Sequence, residues 1–175
     1  TMRLMAEEQS KGTMELLLTA PIKEWELVIG KWLGAWFFGL ALVATTVVFP
    51  RVLLAYGTPD MGPVYSGYLG MALRVGAILA GGLLASALTG NLIVSVAIGY
   101  TFVLTIWIIG IAGDLLTAFT GQATGILGSL VNYLDFSNHF SATFGRGVID
   151  TVDIVYYVSV IAIALFLTTR VVEVR

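Results

Sequence analysis

The chain contains no cysteine, which excludes disulfides, thiolate zinc sites, iron–sulfur clusters and thiol nucleophiles. Its one histidine, His139, cannot build a multi-histidine metal or haem centre alone. Charge is equally scarce. Asp, Glu, Lys and Arg supply 11% of the 175 residues, against about 25% in a soluble domain. The net charge of −2 provides no concentrated basic face for nucleic acid. A phosphate-cradling GxxxxGK[ST] loop is also missing. Gly30-Lys31 is followed by Trp32, and Trp25 stands where the upstream glycine would be. What the chain has is apolar character: 58% is hydrophobic before its 20 glycines are counted, whereas a soluble domain reaches about 45–50% with glycine included. So little charge cannot cover the surface of a water-soluble fold, and the composition is that of an integral membrane protein.

Charge spacing divides the chain. Trp32 to Pro50 carries no charge and is about long enough to cross the hydrocarbon core. Val75 to Gly113 is uncharged and long enough for two crossings, with Thr89-Gly90-Asn91 as the natural turn between them. Ile154 to Thr169 is a further apolar stretch. These runs predict an all-α, polytopic fold with four spans, at about 26–55, 66–88, 92–113 and 151–170. Asp150 is placed to cap the last helix, and Asp153 stands at the capping-box position three residues on. Residues 115–134 are uncharged but interrupted by Gly121, Gln122, Gly125, Gly128 and Asn132. Within an outward segment 114–150, that stretch reads as short re-entrant or interfacial helices, with a fifth span as the alternative.

Arg3, Lys11, Lys23 and Lys31 precede the first span, and Arg170 and Arg175 follow the last. The positive-inside rule therefore puts both ends of this chain, and the Thr89–Asn91 turn, in the cytoplasm. Residues 1–25 form a cytoplasmic segment ahead of a transmembrane domain, 26–175. In that segment Glu7, Glu8, Lys11 and Glu15 give a charged face, Leu16, Leu17 and Leu18 follow Gly12-Thr13, and Pro21 suits a first helical turn. Two readings fit: a solvated juxtamembrane linker, or a docking element for a cytoplasmic partner.

Taken together, Glu7-Glu8, Gly12-Thr13, Glu15-Leu16-Leu17-Leu18-Thr19-Ala20-Pro21 and Gly30-Lys31 resemble the EE-x-x-x-GT-x-E-LLLTAP…GK signature of ABC-2-type permeases, in their gliding-motility-associated branch. Tyr68-Leu69-Gly70, Ser86–Asn91, Asn138-His139-Phe140 and Arg146–Thr151 resemble further segments of that family in the same order. Leu92 departs from the glutamine that usually follows the asparagine of the turn. The resemblance implies the permease subunit of an ATP-driven exporter in the bacterial cytoplasmic (inner) membrane. It implies no cofactor in this chain, ATP and Mg being held by a separate ATPase subunit. It also implies a second permease copy or homologous half, with lipid around both. Glu7, Glu8, Gly12, Thr13, Glu15, Leu17, Thr19 and Pro21 would dock the ATPase, and Thr89 and Asn91 would form a second cytoplasmic turn. Such permeases usually have six spans, so the first two would be missing here. The alternative is a non-transporting structural subunit of a larger membrane complex.

Three further features ask for roles. Arg74 lies inside the second span, where an arginine is a functional candidate by default. Pairing with Asp114 at the end of the third helix is the main expectation, beside snorkelling and substrate contact. Gly30-x-x-x-Gly34 and Gly121-x-x-x-Gly125 have the small-residue spacing of close helix contacts, read as packing within the chain or as a dimer seam. His139 is expected to make structural hydrogen bonds, since a metal or proton-relay role needs partners that its neighbourhood supplies only in Asp135.

Overall fold

The computed structural model describes residues 23–89, 91–120, 133 and 135–174, and of residues 114, 116, 117, 119 and 120 the backbone alone. Among them there is no strand. The helices are α1 (Glu24–Thr45), α2 (Val48–Tyr56), α3 (Gly62–Leu88), α4 (Leu92–Thr120), α5 (Phe136–Ser141) and α6 (Thr151–Glu173), with a 3-10 turn at Phe144–Arg146 before α6.

Local chemistry sets their ends. The Glu26 carboxylate accepts the Lys23 amide at 3.4 Å, and Glu24 and Glu26 lie in the first turn of α1, where negative charge suits the helix dipole. The expected first span is broken in two. Pro50 has no N–H to offer the Thr46 carbonyl, which takes the Phe49 amide at 3.0 Å instead. The Thr45 and Thr46 hydroxyls donate back to the Leu42 and Val43 carbonyls, each at 2.6 Å. The second helix begins four residues earlier than expected, at Gly62, with proline in its first turn. Asn91 caps α4 by accepting the Ile93 amide at 2.9 Å. That helix does not stop at Gly113 but runs on to Thr120, because one charged residue does not interrupt a backbone hydrogen-bond ladder. Asp150 caps α6 through the Val152 amide at 3.0 Å, as expected.

Helix α3 is the hub, packing against α1, α4, α6 and the 3-10 turn. Its buried face is built from Ser66, Gly70, Gly76, Ala77, Ala80, Gly81 and residues like them. Lipid gives helices no hydrophobic reason to associate with one another, so close approach through small residues must hold them. A Cβ on Gly70 would stand 2.6 Å from Phe144 Cγ, and one on Gly81 would run into the Phe102 ring. Against the same helix, Trp32 Nε1 donates to the Gly76 carbonyl and Trp36 Nε1 to the Ala72 carbonyl, both at 3.0 Å. The two indoles stack with centroids 5.5 Å apart.

The Gly30–Gly34 pair is not used this way. A Cβ at either position meets nothing within 4 Å among the described residues, so the pair makes no close helix contact with them. The Gly121–Gly125 pair lies outside the described residues.

The up-and-down order gathers Lys23, Thr89, Asn91 and Glu173 at one end of the bundle. The α2–α3 connection, α5 and the 3-10 turn lie at the other. Two buried clusters correspond to these ends. Val28, Leu83, Ala87 and Val172 form the first. Ala77, Phe136, Phe144, Tyr156 and Tyr157 form the second.

Candidate functional site

The densest polar geometry lies at the aromatic end, where α5 and the 3-10 turn rest on α3 and α6. Asp153, in the first turn of α6, is 5% exposed. It was expected to close a capping box with Asp150, but its side chain turns instead toward α5. One carboxylate oxygen lies 2.5 Å from His139 Nδ1, and the other accepts the Thr143 hydroxyl at 2.5 Å. A long-range partner with a donor to share outcompetes a local amide. His139 Nε2 lies 3.0 Å from the Tyr133 carbonyl oxygen. The imidazole stacks on Tyr156 with centroids 4.1 Å apart, and the Tyr133 ring meets it edge-on.

Further bonds fasten the same segment. The Asp135 carboxylate, 4% exposed, accepts the Ser137 amide at 2.7 Å and caps α5. Tyr157 donates its hydroxyl to the Phe136 carbonyl at 2.8 Å, and Ser66 donates to the Phe144 carbonyl at 2.7 Å. Gly147 closes the turn at φ 88°, the left-handed region that favours glycine. Its Cβ position would stand 3.0 Å from the Pro63 nitrogen.

Arg74 reaches this segment as well. Its Nη2 donates to Ser137 Oγ at 3.4 Å, and its guanidinium lies 5.7 Å from the centroid of the Phe140 ring. Asp114 does not end the third helix; α4 continues six residues beyond it, and its side chain lies outside the described residues. Sequence reasoning missed Ser137 and Phe140 as partners of Arg74, and Asp153 and Thr143 as partners of His139. The available signal was that Asn138, His139 and Asp153 are rare polar positions flanking one short connection.

At the opposite end, Asn91 is occupied as the cap of α4. The Thr89 hydroxyl is buried and has no hydrogen-bond partner among the described residues. The proposed docking residues Glu7, Glu8, Gly12, Thr13, Glu15, Leu17, Thr19 and Pro21 lie outside the described residues. Among the described residues no group of three or more His, Cys, Asp or Glu is placed to hold a metal. Where α1 and α2 meet α3, an apolar cleft of about 550 Å³ is lined by Val43, Val47, Leu54 and Val64, with Arg51 and Tyr65 among its polar residues.

Four helices long and apolar enough to cross a bilayer, joined through a thin central helix, define a multi-pass membrane protein. The family model for the ABC-2 family transporter protein matches residues 1–172, and the chain belongs to that family. The match is to the family as a whole; likeness to the gliding-motility-associated branch rests on the motifs alone. No curated protein and no solved structure matches the chain.

Proposed function

We propose that the chain is the permease subunit of an ATP-binding-cassette exporter, moving cargo when a separate ATPase subunit binds and hydrolyses ATP. The observation that carries this reading is a family match over residues 1–172, a range that takes in the Glu7–Pro21 segment and nearly all of the four apolar helices. ATP and Mg belong to the partner, with a second permease copy or homologous half completing the membrane part. The assembly sits in the bacterial cytoplasmic membrane with both ends of this chain inside. Glu7, Glu8, Gly12, Thr13, Glu15, Leu17, Thr19 and Pro21 form the ATPase-docking segment. Thr89 and Asn91 mark the second cytoplasmic turn.

The mechanism is mechanical. The docking segment must contact the ATPase differently in its two states, because equal affinity for both shifts nothing. Movement passed to the start of α1 reaches α3 through Trp32 and Trp36, whose indoles are tied to α3 carbonyls. From α3 it reaches the Thr89–Asn91 turn and the segment resting on Gly70.

Co-purification from native membranes tests this. A stoichiometric ATPase subunit is expected to accompany the chain. Replacing Glu15 or Gly12 is expected to uncouple ATP hydrolysis from transport without loss of membrane insertion. Recovery of other membrane proteins alone, with no ATPase, overturns the exporter in favour of a structural subunit.

A further inference from the structure

His139 poses a proton-counting problem. A neutral imidazole carries one N–H and one bare nitrogen. The Tyr133 carbonyl oxygen beside Nε2 can only accept, so Nε2 must carry a proton. Nδ1 then faces an Asp153 oxygen at 2.5 Å. Two lone pairs do not rest at that separation, so a further proton lies between them. It belongs either to an imidazolium facing a carboxylate or to a carboxylic acid facing a neutral ring; the proton count of the pair is the same in both. The second Asp153 oxygen is occupied by the Thr143 hydroxyl and offers no escape. Moving the ring proton to Nδ1 does not help, because Nε2 would then present a lone pair to a carbonyl. With Asp153 ionised, neither tautomer of the neutral ring satisfies both neighbours.

The surroundings make the mismatch costly. The His139 and Asp153 side chains are 11% and 7% exposed. Tyr156 covers one face of the ring and Tyr133 meets its edge. Among the described residues, the other ionisable groups at this end include Asp135 and Arg74, each bound to Ser137, Tyr157 on α6, Arg146 in the 3-10 turn, Asp150 at the α6 cap, Asp60 before α3 and Tyr65 and Tyr68 in its first turns. Thr143 and His139 sit on the α5 side of the contact and Asp153 on α6, so the shared proton joins two elements that the backbone connects only through the turn.

We infer that His139 and Asp153 form a proton-binding site whose proton latches the α5–turn segment onto α6. Loss of the proton breaks one of the two imidazole bonds and loosens the segment from either residue 133 or α6. The latch stands whether or not the chain is an exporter. Were it one, the pH of the compartment facing this end would bias the opening of the segment.

The chain's single histidine makes the test direct. With the whole chain in nanodiscs and its imidazole labelled with nitrogen-15, both ring nitrogens are expected to be protonated or strongly hydrogen-bonded at the acidic end of a titration from about pH 5 to 9. One proton is expected to leave as the pH rises. In the same range the hydrogen-exchange protection of residues 136–147, corrected for the intrinsic rate, should fall roughly tenfold or more, the scale of one charge-assisted hydrogen bond. Asp153→Asn and His139→Gln should each remove that pH response. If Asp153→Asn fails to fold, the unaltered chain and His139→Gln still decide the matter. A bare Nδ1 throughout the titration, a ring that keeps both protons to its end, or protection indifferent to pH would overturn the inference.

Discussion

The two ends of the bundle are held by different means. At the Lys23 end the buried cluster is aliphatic, with Val28 of α1, Leu83 and Ala87 of α3 and Val172 of α6 in contact. At the other end aromatic rings meet edge-on, and side-chain hydrogen bonds join α3, α5, the 3-10 turn and α6. In lipid the difference matters more than it would in water. Aliphatic contacts between helices compete with equally good contacts to acyl chains, whereas a lost polar contact has no replacement in hydrocarbon. The aromatic end therefore specifies one arrangement, and the aliphatic end tolerates sliding. A lever would be expected to act where sliding is cheap.

Substitutions test that contrast. The largest effect is expected from His139→Ala, which leaves the buried Asp153 carboxylate without its imidazole; a loss of about 3 kcal/mol should appear in thermal or denaturant melting of the detergent-solubilised chain. Gly70→Val forces a branched side chain into the space of Phe144 and should cost about 2 kcal/mol by overpacking, with reduced folded yield in the same assay. Trp36→Phe keeps an aromatic ring but removes the donor to the Ala72 carbonyl, worth ~0.6 kcal/mol for a hydrogen bond within a membrane. Gly34→Ala stands at the bottom. With nothing within 4 Å of a Cβ there among the described residues, stability should hold or rise by up to about 1 kcal/mol through helix propensity. If self-association measured by sedimentation weakens in that variant, the Gly30–Gly34 face belongs to a seam between copies. A larger loss from Leu83→Ala at the aliphatic end than from His139→Ala would reverse the comparison.

What the sequence disclosed follows from the same physics. The four spans were readable because charge is excluded from hydrocarbon, so uncharged runs mark them without knowledge of any contact. The Thr89–Asn91 turn and the Asp150 cap were readable because each is settled within a few residues. The break at Thr46 was not anticipated, although Pro50 stood in plain view, because an apolar run reads as continuous. The overshoot of α4 past Asp114 escaped for the converse reason: a charge bounds a span, not a helix. Asp153 shows the limit most clearly. Local spacing assigned it to the Asp150 cap, and only the folded chain brings His139 within reach. Arg74 likewise finds Ser137, 63 residues away, a distance no periodicity reveals.

The interruption at Thr46 has a consequence for how the chain fits its bilayer. Glu24 to Tyr56 is 33 residues, and an unbroken helix of that length would measure about 50 Å against a hydrocarbon thickness of about 30 Å. The 22 residues of α1 reach about 33 Å by themselves, close to a match, and the nine of α2 form a separate short helix beyond the interruption. An interruption at that point would let the chain meet the bilayer thickness without the steep tilt or local thickening that an unbroken helix would demand.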